Sequence, residues 1–306
     1  RYKFYTDVGK SFKCKIENIN KAVGDEFYSK AIYVFNGRTN VGKTLWLCHL
    51  ATDFLRQGCN VLYLSAEMSE EMIGKRIDAN LLDIEANSLN KTLNKETYFG
   101  KVKKLLTKMT ERGKLKIKEY PTSEASVAHI KSLLKDLRMT QQFVPDIIIA
   151  DYLNIFASSR LAAASRSDSY NYVKAIIEEF RGMAVSEDVC LITATQFNRS
   201  GSKKDAGEVD LEDTADSWGI ATTADWCGGI IQTEELQEAG KYLLKVLKTR
   251  FDENNRHTYV VGVERNKMRL TEVPDEDENI PEELKNKIEY ADRVNADKNL
   301  NEDLFQ

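Results

Sequence analysis

The sequence predicts an α/β fold, a mostly parallel sheet with helices on both faces. Short apolar runs alternate with helix-like stretches from residue 31 to residue 195. The runs are continuously apolar, which is typical of parallel strands that are covered on both sides. They lie at 31–35, 60–65, 114–119, 146–150 and 189–195. The helix-like stretches lie near 44–57, 69–83, 124–139 and 169–187.

The pattern changes later in the chain. Apolar runs at 226–232, 241–250 and 257–264 follow one another without a predicted helix between them. Because strands joined without a crossover helix pair antiparallel, we expect these runs to form hairpins that extend one edge of the sheet. Residues 84–113 are basic and helix-like, and we expect a helical insertion there, to which the sequence assigns no role.

Composition excludes a membrane-spanning protein. The chain has 306 residues, of which 42% are hydrophobic and 30% are charged, and its mean hydropathy is −0.46. No apolar run approaches the roughly 20 residues that a membrane-spanning helix needs. The five cysteines are scattered without a C-x-x-C pair, which favours free thiols in a reducing cytoplasm. The three histidines are far apart in the sequence and do not suggest a zinc site.

The net charge of −4 is unevenly distributed along the chain. Residues 275–306 hold 11 acidic and 4 basic residues, a net charge of −7, which leaves 40 basic and 37 acidic residues, or +3, in the first 274. Pro274 and Pro281 bracket a strongly acidic stretch. We therefore expect a folded domain that ends near residue 274 and an acidic C-terminal tail over 275–306.

A phosphate-binding loop follows the first predicted strand. Residues 37–44 match G-x-x-x-x-G-K-[ST] at every fixed position, and an amphipathic stretch follows. In this pattern the glycines let backbone N–H groups point at phosphate, the lysine reaches the β- and γ-phosphates, and the hydroxyl ligates magnesium. We expect ATP or another nucleoside triphosphate, bound with Mg²⁺. The loop residues are Gly37, Arg38, Thr39, Asn40, Val41, Gly42, Lys43 and Thr44.

Three polar residues follow predicted strands, at the sheet edge where parallel sheets bind ligands. Asp151 is expected to hold magnesium directly or through water. Glu67 is positioned to polarise the attacking water as a general base. Gln196 is a candidate sensor of the γ-phosphate. Each has a simpler alternative, namely a turn aspartate, an acid in the first turn of a helix, and a polar strand terminus.

These residues resemble the motifs of the DnaB family of replicative helicases, whose P-loop core is RecA-like. The motifs are Ala66-Glu67-Met68-Ser69, Asp151-Tyr152-Leu153 and Gln196-Phe197-Asn198-Arg199. The stretches 61–83 and 145–184 are similar to members of the family from T-even-type bacteriophages. The resemblance covers residues 1–273.

The resemblance implies a motor that couples ATP hydrolysis to 5′ to 3′ movement along single-stranded DNA and to duplex unwinding. It implies a homohexameric ring, with a primase and a helicase loader as partners, in the cytoplasm of a bacterial host. It also implies an N-terminal domain and a linker, so we expect residues 1–20 to be the end of that linker and 21–274 to be the ATPase domain. The chain begins without methionine, and we expect it to be a piece of a longer protein or a processed one.

Two loops fit a role in DNA binding, at 157–169 and at 199–210. Small hydroxyl residues, exposed N–H groups and a few cations suit contact with the DNA backbone that does not depend on sequence. Flexible polar surface loops have the same composition, and that alternative stays open. The cations of the two loops are Arg160, Arg166, Arg199, Lys203 and Lys204.

The resemblance further implies a lysine and an arginine finger on a late strand, which reach the γ-phosphate of the neighbouring subunit. Lys248 and Arg250 have the expected K-x-R spacing. Bacterial members continue with Asn-Gly and a second glycine, whereas residues 251–255 here read Phe-Asp-Glu-Asn-Asn. Arg256 and Arg265 therefore remain alternative candidates for the finger.

Two other functions remain possible from the sequence. A RecA-like recombinase, which coats DNA as a filament, uses the same fold. A P-loop ATPase that acts on a protein partner needs no nucleic acid. Fold alone does not separate these functions.

Overall fold

The computed structural model describes residues 9–89, 94–108, 113–161, 169–196, 218–252 and 257–273, so the predicted tail lies outside it. Within these ranges the strands are β1 (Ser11–Phe12), β2 (Phe27–Tyr28), β3 (Ile32–Gly37), β4 (Val61–Ser65), β5 (Leu115–Glu119), β6 (Ile147–Asp151), β7 (Cys190–Gln196), β8 (Trp226–Ile231), β9 (Lys241–Thr249), β10 (Thr258–Glu264) and β11 (Arg269–Thr271). The helices are α1 (Glu17–Val23), α2 (Lys43–Arg56), α3 (Glu70–Leu82), α4 (Lys95–Lys108), α5 (Val127–Gln141), α6 (Ser169–Glu187), α7 (Trp218–Thr223) and α8 (Glu234–Glu238).

Nine of the described strands form one sheet, in the order β11-β10-β9-β8-β3-β7-β6-β4-β5. Neighbours from β8 to β5 are parallel, and the P-loop strand β3 lies between β7 and β8. The pairs β8-β9, β9-β10 and β10-β11 are antiparallel. The predicted α/β fold with an antiparallel edge extension is confirmed.

Strand β8 differs from the prediction for the run 226–232. It lies parallel to β3, with Gly37 opposite Ile230, and is antiparallel only to β9. The short helix α8 also lies between β8 and β9, where we predicted none. Its first turn is capped by the Thr233 hydroxyl, which accepts from the Leu236 N–H at 3.3 Å, and Leu236 is its buried residue. A helix this short shows no periodic pattern in the sequence.

Alternate residues of the central strands pack on opposite faces of the sheet, as the two-residue period of a strand requires. On one face, α2 and α3 cover Tyr33 and Tyr63. On the other, α5 and α6 cover Val34 and Leu64. The runs are apolar throughout because both faces are covered, which confirms the reasoning that predicted them.

Helix α4 confirms that part of the predicted insertion at 84–113 is helical. It packs on α3, where the Tyr98 hydroxyl donates to Asp78 Oδ2 at 3.0 Å. None of the helices in the described ranges is long and apolar enough to cross a membrane.

The N-terminal residues that the structure describes pack against the sheet. Helix α1 buries Ile19 and Val23, and the Trp226 indole N–H donates to the carbonyl oxygen of Ala22 at 2.6 Å. The boundary that we predicted at residue 20, between a linker and the ATPase domain, falls inside α1. That division remains a prediction.

Cys14, His49 and Asp53 meet in a buried cluster that joins this segment to α2. The Lys15 N–H donates to Asp53 Oδ2 at 2.6 Å, and the Leu270 N–H donates to His49 Nδ1 at 3.1 Å. Burial lowers the pKa of His49 to about 3, so the ring is neutral at pH 7. Because Nδ1 accepts a hydrogen bond, the proton of the neutral ring is on Nε2, which cannot then ligate a metal. The cluster therefore fits a structural junction better than a zinc site.

Candidate nucleotide-binding site

The loop between β3 and α2 has a backbone that requires glycine. Gly42 has φ +105°, in the left-handed region, and a Cβ atom there would lie 2.6 Å from the Tyr242 hydroxyl oxygen. A Cβ atom on Gly37 would lie 2.7 Å from Val41 Cγ1. Both fixed glycines of the motif are therefore needed for the loop to close tightly at the start of α2.

Lys43 lies across the mouth of this loop. Its ammonium donates to the carbonyl oxygens of Gly37 at 3.2 Å and Arg38 at 2.9 Å. Burial lowers the pKa of Lys43, and the negative charges of Asp151 and Glu67 oppose that shift. The cation is therefore held at the loop, facing the two carboxyl groups of the predicted site.

Asp151, the last residue of β6, is 2% exposed. Its Oδ2 accepts from the Tyr63 hydroxyl at 2.8 Å, and the Thr44 side chain lines the same cavity. Burial raises the pKa of Asp151, while the Tyr63 and Thr44 side chains lower it. A hydroxyl and a carboxylate in contact at a phosphate loop are hard oxygen donors of the kind that Mg²⁺ binds. These residues fit the metal predicted for them.

Glu67 and Gln196 line the same cavity as the P-loop. The cavity has a volume of about 380 Å³ and lies at the carboxyl ends of β3, β4, β6 and β7. Glu67 is exposed within it, one residue after the buried Ala66. The structure thus brings together Lys43, Thr44 and all three strand-end residues, although it leaves their catalytic roles as predictions.

Arg76, Arg265 and Met268 also line the cavity, and the sequence assigned none of them to it. Arg76 comes from α3, and its positive charge acts on Asp151. Arg265 and Met268 come from the turn between β10 and β11. A local motif could not identify Arg265 and Met268, because their position depends on how the antiparallel edge packs on the P-loop.

Arg265 lies beside the P-loop of its own chain. Its guanidinium donates to the Val41 carbonyl oxygen at 3.4 Å and to Gln232 Oε1, and it lies 5.4 Å from the centre of the Tyr242 ring. Arg265 therefore lines the nucleotide cavity of its own chain. This position does not favour Arg265 as the finger for a neighbouring subunit, but that alternative stays a prediction, and Arg256 lies outside the described residues.

Lys248 and Arg250 lie at the opposite end of the sheet. Strand β9 runs antiparallel to β8, so Leu244 pairs beside the P-loop end whereas Thr249 pairs with Trp226 at the other end. At ~3.4 Å per residue, Arg250 is about 20 Å further along the strand than Leu244. Neither Lys248 nor Arg250 lines the cavity around Lys43.

Both cations at this opposite end are held by the chain itself. Arg250 donates to Asp225 Oδ1 at 3.0 Å and to the Thr222 carbonyl oxygen at 3.0 Å. Lys248 donates to the carbonyl oxygens of Thr222 at 3.2 Å and Ala224 at 2.8 Å. Arg181 also donates to the Asp225 carboxylate. Asp225 is thus a buried carboxylate between two arginines.

Among the predicted DNA-binding cations, Arg160 is within the described residues. It forms ion pairs with Glu178 at 2.8 Å and Glu179 at 3.4 Å, and it donates to the Ala175 carbonyl oxygen at 3.0 Å. These contacts do not favour Arg160 as a phosphate ligand in this conformation. Arg166, Arg199, Lys203 and Lys204 lie outside the described residues.

The sequence of this chain is similar to those of known helicases. The family model for the DnaB-like helicase C-terminal domain matches residues 13–267. The DnaB-like replicative helicase of Enterobacteria phage T4 is 36% identical over 301 residues, which are 98% of this chain and 62% of that protein. A probable plasmid replicative DNA helicase of Chlamydia psittaci is 26% identical over 196 residues, which are 63% of this chain and 40% of that protein. The chain therefore spans less than two thirds of the length of these relatives.

Two solved structures share the fold at 16% identity. One, of a DnaB-like replicative helicase and its interactions with primase, has a TM-score of 0.71 and covers 89% of this chain and 66% of that one. The other is the structure of an ATPase domain, with a TM-score of 0.68, and covers 89% of this chain and 95% of that one.

Proposed function

The chain belongs to the DnaB-like helicase C-terminal domain family, and we propose that it is the motor of a replicative DNA helicase, which uses ATP hydrolysis to move 5′ to 3′ along single-stranded DNA and to unwind duplex. One observation carries the proposal beyond family membership. Lys43, Thr44, Glu67, Asp151 and Gln196, from four separate segments, line one cavity. Within one chain, that set supplies groups for the phosphates, the metal and the attacking water, which hydrolysis of a nucleoside triphosphate requires.

In this proposal Thr44 and Asp151 hold Mg²⁺, and Lys43 lies over the β- and γ-phosphates. When bound there, Mg²⁺ would neutralise charge on the phosphate oxygens. The residues of the chain provide the rest. Backbone N–H groups of the P-loop and the start of α2 bind the phosphates. Lys43 exchanges the carbonyl oxygens of Gly37 and Arg38 for phosphate oxygens, which is a short movement for a flexible side chain.

Glu67 acts on the attacking water as the general base. It is the exposed carboxylate of the cavity, whereas Asp151 is buried and hydrogen-bonded. Gln196 ends β7 and lines the same cavity. In this proposal it senses the γ-phosphate and transmits its loss to the residues that follow. The predicted DNA loop at 199–210 begins three residues later.

A homohexameric ring is proposed from the family, and the separation of the two ends of the sheet is compatible with head-to-tail contacts. In a head-to-tail ring, each subunit presents one surface to one neighbour and a different surface to the other. The nucleotide cavity lies at one end of the sheet, and Lys248 and Arg250 lie at the other. Arg250 then completes the site of the next subunit, with Lys248 beside it.

DNA and protein partners are proposed from the family. Single-stranded DNA passes along the loops at 157–169 and 199–210. A primase partner is consistent with the interaction described for one structural relative, and a helicase loader is proposed with it. The site of action is then the cytoplasm of a bacterial host.

ATP hydrolysis measured with and without oligo(dT) tests the proposal. A helicase motor should be stimulated by single-stranded DNA, whereas an ATPase that acts only on a protein partner should not respond. Unwinding of a forked duplex then separates the remaining alternatives. A helicase should need a 5′ tail, and a recombinase should coat the single strand and leave the fork paired.

A further inference from the structure

We infer that Tyr63 is a positioning residue for the magnesium site, in which its buried hydroxyl fixes the Asp151 carboxylate against Thr44. The inference rests on the proposed binding of magnesium and nucleotide at this site. It does not depend on movement along DNA.

The sheet places Tyr63 and Asp151 on the same face. In the pairing of β4 with β6, Tyr63 lies opposite Ile149, and Ser65 lies opposite Asp151. Tyr63 is therefore two residues before the partner of Asp151, and alternate strand residues share a face. Its side chain is fully buried, and the hydroxyl oxygen is 2.8 Å from Asp151 Oδ2.

The hydrogen bonds at this pair leave little freedom to the carboxylate. A tyrosine hydroxyl has one proton to donate, and here it goes to Asp151. The Cys48 thiol, 3.8 Å away, is a weak donor to the same tyrosine oxygen. Because Asp151 is 2% exposed, water cannot easily replace the tyrosine proton. A hydrogen bond to an ionised carboxylate is about twice as strong as a neutral one and fixes the orientation of the group.

A fixed carboxylate matters because Asp151 also reaches Thr44, the other predicted ligand. Residues that hydrogen-bond to metal ligands orient them, and their mutation typically lowers metal affinity about 10- to 100-fold. Tyr63 does not line the nucleotide cavity. Its effect should therefore appear in the cation dependence of binding, and the nucleotide itself should bind as before when no cation is present.

Tyr33 offers a matched control. It is also a fully buried tyrosine, on β3 and in the same core cluster as Tyr63. Its hydroxyl accepts from the Tyr28 N–H at 2.8 Å and donates to the Glu26 carbonyl oxygen at 3.3 Å, so it serves backbone groups only. Tyr33→Phe and Tyr63→Phe remove the same atom and keep the same ring.

The test is to measure binding of a fluorescent ADP analogue to the wild-type chain, Tyr63→Phe and Tyr33→Phe, first in EDTA and then across a Mg²⁺ titration. Electron paramagnetic resonance of free Mn²⁺, in place of Mg²⁺, counts bound cation directly in the presence of ADP. Thermal melting shows whether each variant is folded.

We expect the half-saturating cation concentration to rise about 10- to 100-fold in Tyr63→Phe and to stay unchanged in Tyr33→Phe. Nucleotide affinity in EDTA should be equal in all three proteins. An unchanged cation requirement in Tyr63→Phe, or an equal rise in both variants, would overturn the inference and leave Tyr63 as a core residue. Because the assay contains neither DNA nor hydrolysis, failure of the proposed helicase function would not alter its result.

Discussion

The two ends of the central sheet hold their charged residues in different ways. At the carboxyl end of the parallel strands, Lys43 and Glu67 face an open cavity, and the hydrogen bonds of Lys43 go to carbonyl oxygens of its own loop. At the opposite end, Arg250 and Arg181 share the buried carboxylate of Asp225. The first end leaves charged groups facing a cavity, whereas the charged groups of the second end pair with one another.

This difference suggests how Arg250 can act on a neighbouring subunit. A buried carboxylate that loses its partner is costly, because the charge is then uncompensated. Asp225 would keep Arg181, and its Oδ2 also accepts from the Ile32 N–H at 3.0 Å. Arg250 can therefore move to a phosphate of the next subunit without leaving Asp225 unpaired. Because two arginines pair with Asp225, one of them can change its partner while the other keeps the carboxylate paired.

The largest effect on ATP hydrolysis should come from a substitution in the nucleotide cavity. Lys43→Ala removes the cation that faces the β- and γ-phosphates, so we expect ATP hydrolysis to fall to background in a phosphate-release assay. Lys10→Ala is the control, because Lys10 is an exposed lysine that pairs with Asp146 at 3.4 Å, far from the cavity in the sheet. Substantial hydrolysis by Lys43→Ala would contradict the assignment of the P-loop.

At the opposite end, Arg250→Ala should lower hydrolysis about 10³- to 10⁵-fold, the range measured for arginine fingers in related NTPases. Nucleotide binding should remain, since Arg250 does not line its own cavity. Wild-type activity should also rise steeply with protein concentration as subunits associate.

A mixture of Lys43→Ala and Arg250→Ala subunits separates action in trans from action within one chain. Some interfaces in a mixed ring combine an intact Lys43 with an intact Arg250, so partial hydrolysis should return. Mixed rings that form but stay inactive would count against Arg250 as the trans residue, or would show that hydrolysis needs several intact interfaces.

Glu67→Gln should have a smaller effect than loss of the finger, about 10²- to 10⁴-fold on turnover, the usual contribution of a general base. The amide keeps the size of the side chain, so binding of ATP with magnesium should be nearly normal. Binding and single-turnover hydrolysis, measured on the same preparation, distinguish the two steps. Near-normal turnover would mean that another group activates the water.

The parts of the molecule that sequence predicted well are contiguous in the chain. The central strands and the P-loop are short segments that can be recognised from their own residues, namely apolar runs and a fixed motif. Their ends were therefore located within a few residues. Glu67, Asp151 and Gln196 were predicted because each lies at or just after the end of a strand, and parallel strands end at the same edge of the sheet.

The rest depends on contacts between distant segments. Tyr63 meets Asp151 only because β4 pairs with β6, and Arg265 reaches the P-loop only because β10 folds back on β9. The parallel pairing of β8 was missed for the same reason. A continuous run of apolar residues does not show whether its strand pairs parallel or antiparallel. No local pattern reports which strand lies beside another.

The smallest expected effect concerns Arg160, which resembles Arg250 in being held by carboxylates of its own chain. The sequence predicted that Arg160 and Lys203 bind DNA phosphates alike, and removing one phosphate-binding cation should lower the salt slope for single-stranded DNA by about 0.7.

In the structure, however, Arg160 together with Glu178 and Glu179 has a net charge of −1, and Glu179 also accepts from the Ser158 hydroxyl and the Ser159 N–H. We therefore expect Arg160→Ala to leave the slope almost unchanged, whereas Lys203→Ala lowers it by about 0.7. Fluorescence anisotropy with oligo(dT) over a series of salt concentrations measures both. An equal decrease in the two variants would show that Arg160 leaves its glutamates for DNA. Exchange of an internal carboxylate for a phosphate would then be common to Arg160 and Arg250.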